Sequence, residues 1–428
     1  MESVLPTLLQ PAAKLKRRQQ AYRVQPLGCV CANTQAKACT LYTCRQQAFP
    51  TESGGPLWVP THVELYTPIN LSHPEGIVAD VINVGLVGYG LAGRVFHAPV
   101  IQSVPGLRLK KVVERHADES SKRYPEVEVV RDVATLLKDD AIDLVVITTP
   151  NTSHFEYARD ALLAGKHVVV EKPFTITSAE ALELIDLARQ QNRIISVHQN
   201  RRWDGDFQTV KRLLDQKLLG RLVEYESHFD RFRNTRQPGA WREEDGPGSG
   251  ILFDLGSHLI DQAQVLFGLP QLITADVRTQ RDFARTADNF EVILHYEKLK
   301  VTLKAGMLVR EPGPRFILHG TEGSFVKYGL DVQEDALKQG LTPGTPGWGE
   351  EPEELWGTLN TQIGELHMNG RIETIPGSYQ SYYENLVQSI NGEAELIVKP
   401  EEAINTIRII ELAMESSQKR ATIPFAAR

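Results

Sequence analysis

The 428-residue sequence predicts an α/β protein with two domains that follow a separate N-terminal segment. A glycine-rich turn lies between a strand pattern and a helix pattern, and strand and helix patterns then alternate up to about residue 200. Beyond that point apolar and polar residues alternate with a period of two, which is typical of half-buried antiparallel strands. We therefore expect a doubly wound parallel sheet over 80–200 and an α+β domain with an open, mainly antiparallel sheet over 201–428.

Residues 1–79 differ in composition from the rest of the chain. They contain all four cysteines and a basic run, and they lack periodicity, so we expect this segment to be disordered. A zinc site is one interpretation of the cysteines, but no strand or knuckle pattern surrounds them. An export signal, a transit peptide and a segment absent from a mature chain that starts near Val78 are further alternatives. We favour the last of these.

The overall composition excludes several classes of partner. The chain has 41% apolar and 24% charged residues, which is ordinary for a globular protein of this length. Its formal net charge of -7 provides no broad basic surface for nucleic acid or anionic lipid. No run of about 18 apolar residues is present, so we expect a cytoplasmic protein without a membrane span.

The first strand of the predicted parallel sheet leads into a dinucleotide-binding pattern. Gly88, Gly90 and Gly93 have the spacing of the GxGxxG fingerprint. The first glycine permits a tight turn, the second lets the backbone approach a pyrophosphate, and the third allows close packing of helix on strand. The N–H groups at the helix start would then hold the phosphates, with Tyr89 in contact. We therefore expect a Rossmann domain that binds NAD or NADP.

The end of the second strand bears on the choice of cofactor. Glu114 follows an apolar stretch, and its carboxylate can hold the adenosine ribose as in NAD enzymes. Arg115 and His116 follow at once, and a guanidinium here is what a 2′-phosphate requires. A solvated charge cluster is the other interpretation of Arg115 and His116. These residues leave the choice between NAD and NADP open.

Polar residues follow two later strands of the same sheet. Thr149, Pro150 and Asn151 follow one strand, and Glu171 and Lys172 follow the next. In doubly wound sheets, ligands bind at the carboxyl ends of the strands. We therefore expect both groups to lie beside the cofactor.

The second half of the chain offers a further group of polar residues. Asp254, His258 and Asp261 are spaced i, i+4 and i+7 in a predicted helix that ends at Gly268. From the residues alone, a solvated helix face is the favoured interpretation. A shared metal ion is a third possibility, but no third ligand of matching spacing is present.

The combination of motifs resembles the Gfo/Idh/MocA oxidoreductase family. The fingerprint is followed, in order, by TTPNTSH, AGKHVVVEKPF, NRRWDGDF and GPGSGILFDLGSHLIDQ. The resemblance runs from about residue 81 to residue 424 and leaves 1–79 unmatched. Within the family, the chain is most similar to NADP-preferring scyllo-inositol 2-dehydrogenases and to an uncharacterised bacterial subgroup, which tips the choice of cofactor slightly toward NADP.

The resemblance implies an NAD(P)-dependent dehydrogenase that interconverts a secondary alcohol and a ketone on a cyclic polyol or sugar, with inositol as the leading candidate. It implies Lys172, Asp254 and His258 as the catalytic set. Lys172 would hold a proton position near the substrate hydroxyl, Asp254 would bind substrate hydroxyls, and His258 would exchange the proton. The chemistry needs no metal. A nucleotide sensor without turnover is the alternative, but it has no need of these proton-transfer groups.

Further contacts are expected at the edges of the site and between subunits. The motif TTPNTSH adds His154 to the expected cofactor contacts. Arg201 or Trp203 is expected to contact cofactor or substrate where the domains meet, although a packing role for Trp203 is equally compatible. The open sheet forms a subunit interface in relatives, so a homodimer or homotetramer is expected.

Overall fold

The computed structural model describes residues 44–50, 56–63, 81–235 and 243–426. The chain divides into two compact units, at Ile77 and Val78. In the first, an antiparallel hairpin pairs β1 (Cys44–Pro50) with β2 (Pro56–Val63). The prediction of a disordered segment over 1–79 did not include this hairpin. The other residues of that segment, with three of its cysteines, lie outside the described residues.

The second unit begins with a parallel sheet of six strands. These are β3 (Ile82–Val87), β4 (Leu107–Val113), β5 (Glu128–Val130), β6 (Leu144–Ile147), β7 (His167–Val170) and β8 (Ile195–Val197). Their order is β5-β4-β3-β6-β7-β8, and every pair is parallel. The strand order therefore reverses beside β3, which is where doubly wound sheets bind their ligands. The predicted Rossmann architecture is confirmed.

Helices connect these strands on both faces of the sheet. They are a π-helical turn (Ala92–His97), α1 (Ala98–Ser103), α2 (Glu119–Arg123), α3 (Val133–Leu137), α4 (His154–Leu163) and α5 (Ser178–Gln190). The sequence predicts Ser178 as the cap of α5, but the cap is Thr177. The Thr177 hydroxyl accepts the N–H of Glu180, whose carboxylate accepts the N–H of Thr177. Ser178 is instead the first helical residue and donates to Glu411.

A second sheet of nine strands follows. These are β9 (Leu222–His228), β10 (Leu272–Arg278), β11 (Asn289–His295), β12 (Lys300–Gly306), β13 (Phe316–Gly320), β14 (Gly323–Lys327), β15 (Gly357–Ile363), β16 (Leu366–Ile372) and β17 (Ile423–Pro424). Their order is β16-β15-β14-β13-β9-β12-β11-β10-β17. The pair β9/β12 is parallel and the others are antiparallel. The predicted open, mainly antiparallel sheet is therefore confirmed.

The C-terminal half also supplies helices to both sheets. They are α6 (Gly205–Asp215), a π-helical turn (Leu252–Gly256), α7 (Ser257–Phe267), α8 (Gln333–Lys338), α9 (Gln380–Ile390) and α10 (Pro400–Lys419). Tyr382, Tyr383 and Leu386 of α9 pack into the core on one face of the parallel sheet. Ala403 and Ile407 of α10 pack into the core on its other face. Residues far beyond the predicted boundary at 200/201 thus complete the first sheet's cores.

Among the described residues, no helix combines the length and the apolar character that a membrane crossing requires.

Candidate active site

The glycine turn after β3 has the geometry that each glycine was expected to provide. Gly88 has a φ of +98°, which favours glycine over any residue with a side chain. A Cβ on Gly93 would lie 2.3 Å from the carbonyl oxygen of Gly88, so only glycine permits this approach of helix to strand. At Gly90, by contrast, a Cβ would meet no atom within 4 Å. The turn therefore leaves an open cradle at the helix start, which fits the pyrophosphate of a dinucleotide.

Glu114, at the end of β4, is engaged by the helix that follows it. Its side chain is buried, and its carboxylate accepts the N–H groups of Glu119 and Ser120 at 3.1 and 2.7 Å. The Ser120 hydroxyl donates to the same carboxylate. A negative charge at this position stabilises the N-terminus of α2. A ribose contact by Glu114 would have to be made in addition to these bonds.

The turn between β4 and α2 is held from outside by Arg131, a residue that lies in no recognised sequence motif. The Arg131 guanidinium donates to the carbonyl oxygens of Glu114 and Ala117, at 2.9 and 2.6 Å, and pairs with Asp118. Arg115 lies within this turn and is exposed, as is His116. No hydrogen bond or ion pair joins the Arg115 side chain to the described part of the chain. Its guanidinium is therefore free to bind a ligand.

The residues that follow β6 are tied to backbone groups. The Thr148 hydroxyl donates to the Gly88 carbonyl oxygen at 2.8 Å, and the Asn151 amide donates to the Gly248 carbonyl oxygen at 2.8 Å. His154 lies between two carbonyl oxygens, those of Thr149 and Pro173, at 3.0 and 2.9 Å. Burial lowers the pKa of His154, so the ring is neutral at pH 7 and donates to only one of them. His154 thus braces the two loops that carry the polar motifs.

Behind Lys172, the Glu171 carboxylate is held by two buried histidines. One oxygen accepts from His97 Nε2 at 2.7 Å and from His198 Nδ1 at 3.1 Å, and the other accepts the N–H of Lys172 at 2.9 Å. The Tyr383 hydroxyl lies 2.6 Å from His97 Nδ1. Burial lowers the pKa of His97 to about 4. Burial acts to raise the pKa of Glu171, but the hydrogen bonds from His198 and His97 hold it well below its usual range.

His97, Glu171 and His198 also form a group that is compatible with a metal ion. Their candidate ligand atoms lie within 4.8 Å of one another. Two imidazoles and a carboxylate form a set that transition metals accept. In this protein the same atoms hydrogen-bond to one another, and the ionised carboxylate satisfies both histidines. The expectation that the site needs no metal stays a prediction.

Lys172 meets Asp254 across the cleft. Its Nζ donates to Asp254 Oδ1 at 2.9 Å and to the Asp254 carbonyl oxygen at 2.7 Å. His258 lies one turn further along, is only 5% exposed, and its Nδ1 has no hydrogen-bond partner among the described residues. Burial, together with the positive charges of Lys172 and Arg201, holds the pKa of His258 well below its usual value. The imidazole is therefore neutral at physiological pH.

The interpretation of Asp254, His258 and Asp261 as a solvated helix face is wrong. His258 and Asp261 are buried, and Asp254 faces the cleft. Asp261 forms a two-pronged ion pair with Arg202, at 2.8 and 2.6 Å. A buried pair of this kind anchors α7 to the end of the parallel sheet. The periodicity was identified correctly, but the sequence alone could not show that this face is covered.

Arg201 and Trp203 lie in the turn that follows β8. Arg201 lines the cleft and pairs with Glu334 at 2.5 Å and with Asp204 at 3.4 Å. Trp203 packs edge-on against Tyr382, with ring centroids 5.9 Å apart. This contact corresponds to the packing role for Trp203.

The cleft has a volume of about 720 Å³ and lies between the two sheets. One wall carries the glycine turn and the two polar loops. The other wall carries charged residues from separate segments that no sequence pattern connects: Arg231, Arg233, Glu243, Arg281, Asp288, Glu334 and Lys338. They come together only through the fold of the C-terminal domain, so no local sequence motif indicates them.

The open phosphate cradle, together with the Lys172–Asp254 contact that joins the two walls of the same cleft, defines an NAD(P)-binding oxidoreductase. Two family models match the chain: "Oxidoreductase family, NAD-binding Rossmann fold" over 82–199 and "Oxidoreductase family, C-terminal alpha/beta domain" over 211–425. The chain belongs to the Gfo/Idh/MocA oxidoreductase family.

Individual relatives agree with this assignment. The scyllo-inositol 2-dehydrogenase (NADP(+)) IolW of Bacillus subtilis is 42% identical over 344 residues, which is 80% of this chain and 96% of the relative. The uncharacterised oxidoreductase YdgJ of Escherichia coli is 44% identical and covers 82% and 100% of the two chains. The crystal structure of the oxidoreductase yvaA from Bacillus subtilis is similar with a TM-score of 0.79, at 42% identity, and covers 81% of this chain and 99% of its own.

Proposed function

We propose that this protein is a dehydrogenase that interconverts a secondary alcohol and a ketone on a cyclic polyol or sugar, with an inositol as the leading substrate. The observation that carries this proposal is the contact of Lys172 with Asp254 beside a neutral, buried His258. Within one cleft, Lys172 provides a charged hydrogen-bond donor, Asp254 provides an acceptor for a substrate hydroxyl, and His258 provides an acceptor for the proton. The similarity to a scyllo-inositol 2-dehydrogenase supports the choice of substrate class.

Each of these groups has a distinct task in the proposed reaction. A bound nicotinamide ring would supply the hydride acceptor for oxidation and the hydride donor for reduction. The Lys172 ammonium donates to the reacting oxygen and stabilises the negative charge that develops there. Asp254 orients the Lys172 ammonium and accepts a neighbouring substrate hydroxyl. The neutral His258 imidazole takes the hydroxyl proton during oxidation and returns it during reduction.

We also propose a preference for NADP over NAD. Glu114 already stabilises the start of α2, while the adjacent Arg115 is exposed and has no side-chain partner among the described residues. Arg131 holds the turn in which Arg115 lies, so the guanidinium is presented from a fixed backbone. A 2′-phosphate is the group that such a guanidinium recognises. The name of one relative, an NADP(+) enzyme, agrees with this preference.

A substrate panel tests the proposed reaction. Inositols, their ketones and common sugars would be monitored at the nicotinamide absorbance with each cofactor. Turnover of at least one cyclic polyol or sugar is expected. Cofactor binding without turnover of any of these compounds would contradict the proposal and would favour a nucleotide sensor.

We further propose that copies of the chain associate through the outer face of the nine-stranded sheet. One face of this sheet packs on α7 and α10. Along β11 the residues of the other face are half-exposed in strict alternation with buried ones, as in a sheet with one uncovered side. Light scattering coupled to size exclusion is expected to give a homodimer or homotetramer.

A further inference from the structure

Arg231 occupies a fixed position on the C-terminal wall of the cleft. It lies just beyond β9, where its N–H donates to the Gly306 carbonyl oxygen at 3.0 Å and its carbonyl oxygen accepts the N–H of Val309 at 3.1 Å. Both backbone groups are therefore bound, and the side chain does not project from a free loop. The side chain is half-buried and lines the same cleft as Lys172 and Asp254.

The other cations that line the cleft are engaged by the protein. Lys172 pairs with Asp254, Arg201 and Lys338 share Glu334, and Arg281 pairs with Asp288. Arg233 also has a partner.

Arg231 differs from all of these. Among the residues that the structure describes, none accepts a hydrogen bond from its guanidinium or forms an ion pair with it. The sequence of 236–242, which lies outside the described ranges, contains no acidic residue that could serve as a counter-ion. Among the described residues, Arg231 is thus the cleft cation whose side chain has no hydrogen-bond or ion-pair partner.

An unpaired guanidinium in a partly buried cleft is unfavourable unless a ligand satisfies it. Burial lowers the pKa of Arg231, and the charge of Asp254 only partly opposes this effect. A guanidinium nevertheless stays protonated in proteins, and its five N–H donors have a planar, forked geometry. Such a fork binds two neighbouring oxygen atoms better than it binds one.

We propose that Arg231 is a specificity-determining residue that donates to two adjacent oxygens of the substrate on the cleft wall that carries Asp254. This inference rests on the proposed dehydrogenase function and adds to it. Neighbouring oxygen acceptors occur in the vicinal hydroxyls of a cyclic polyol and in the carboxylate of a sugar acid. Arg231 thereby selects substrates that present such a pair, and it discriminates against those reduced or blocked at that position.

Calorimetric binding to the full-length protein loaded with cofactor tests this role without requiring turnover. The probes are inositols, the matching sugars, and sugar acids that differ only by a carboxylate. Arg231→Gln is expected to weaken binding of the preferred compound by about 10- to 100-fold, the loss expected for a charge-assisted pair of hydrogen bonds. The affinity for cofactor should not change. Arg310→Gln is the matched control, because it removes an exposed charge near Arg231 that stacks on Phe232 outside the cleft.

The outcomes distinguish a carboxylate from vicinal hydroxyls as the partner of Arg231. They also distinguish the role of Arg231 from the proposed dehydrogenase function. A loss confined to the acids identifies a carboxylate as the partner, and a loss for neutral polyols identifies vicinal hydroxyls. Equal affinities in wild type, Arg231→Gln and Arg310→Gln overturn the role of Arg231. Binding that depends on Arg231 without any turnover would overturn the dehydrogenase function alone, and a wild-type protein that binds none of the probes would overturn both.

Discussion

The two walls of the cleft are built by different kinds of interaction. On the N-terminal wall, polar side chains bond mainly to backbone groups or to buried partners, as His154 does with Thr149 and Pro173. On the C-terminal wall, charged side chains pair with one another at the cleft surface, as Lys338 does with Glu334.

This difference indicates which wall can vary without loss of the fold. Backbone groups are fixed by the course of the chain, so the N-terminal wall has one arrangement, suited to a constant cofactor. Ion pairs between side chains can be replaced singly while the strands stay in place, so the C-terminal wall is suited to variable substrates. Function on a shared fold is set in this way by the residues of the site.

The largest effect is expected where the two walls meet. Lys172→Met should lower kcat by about 10²- to 10⁴-fold, the usual contribution of a positioned acid or base, because no ammonium then stabilises the reacting oxygen. Cofactor affinity, measured by fluorescence titration, should be nearly unchanged. His258→Ala should behave likewise, whereas Lys304→Met, at a partly exposed lysine of the second sheet, should retain activity. A parallel loss of cofactor affinity in Lys172→Met would show that Lys172 belongs to the cofactor wall alone.

Substitutions that remove a partner of Glu171 behind the N-terminal wall should reduce the stability of the folded protein. His97→Ala removes one donor from the buried Glu171 carboxylate and leaves a cavity, so we expect the free energy of unfolding to fall by about 2–4 kcal/mol. Urea unfolding of the full-length protein measures this change. Tyr383→Phe removes only the hydroxyl that contacts His97 and should cost about 1 kcal/mol. Equal small losses in both variants would mean that Glu171 does not depend on His97.

The cofactor preference can be tested on the same wall. Arg115→Ala should reduce kcat/KM with NADP by the equivalent of about 1.5–3 kcal/mol and barely affect NAD, because only NADP carries the 2′-phosphate. Arg108→Ala removes an equal charge from near the other end of β4 and serves as the control. Glu114→Ser should mainly weaken the start of α2. A wild-type preference for NAD of about tenfold or more would show that Glu114 governs the choice instead.

The smallest effect is expected from a truncation of the N-terminal segment, which lies outside both walls of the cleft in sequence. The residues that line the cleft lie between 90 and 338. A chain that starts near Val78 should therefore keep its kcat/KM and its melting temperature within experimental error. A drop of several degrees in melting temperature would show that the N-terminal segment contributes to the folded protein.

The sequence predicted the N-terminal wall better than the C-terminal wall, for a physical reason. The glycine turn and the strand-end motifs are local, so their geometry follows from neighbouring residues. The environment of Glu171 was not predictable in this way, because Tyr383 reaches His97 from 286 positions away. Arg231 lies in no motif, and only the folded second sheet shows that no described residue pairs with it.

Even a local pattern can leave a role undetermined. Glu114 stands at the expected position, yet Ser120 and Glu119 already bond to its carboxylate. That engagement depends on where α2 starts, and the sequence gives no strong signal for the start of so short a helix.

The packing of α9 and α10 on the first sheet has a consequence for how the protein is made. The strands of the parallel sheet leave the ribosome long before Leu386 and Ile407, which complete the cores on its two faces. Domains usually fold during synthesis, beginning at the N-terminus. We therefore expect the cores on the two faces of the first sheet to be completed only when α9 and α10 have been synthesised. Until then, apolar surface of the sheet is expected to be exposed. A nascent chain that stops before residue 380 is therefore expected to be a chaperone substrate and to be degraded unless synthesis resumes.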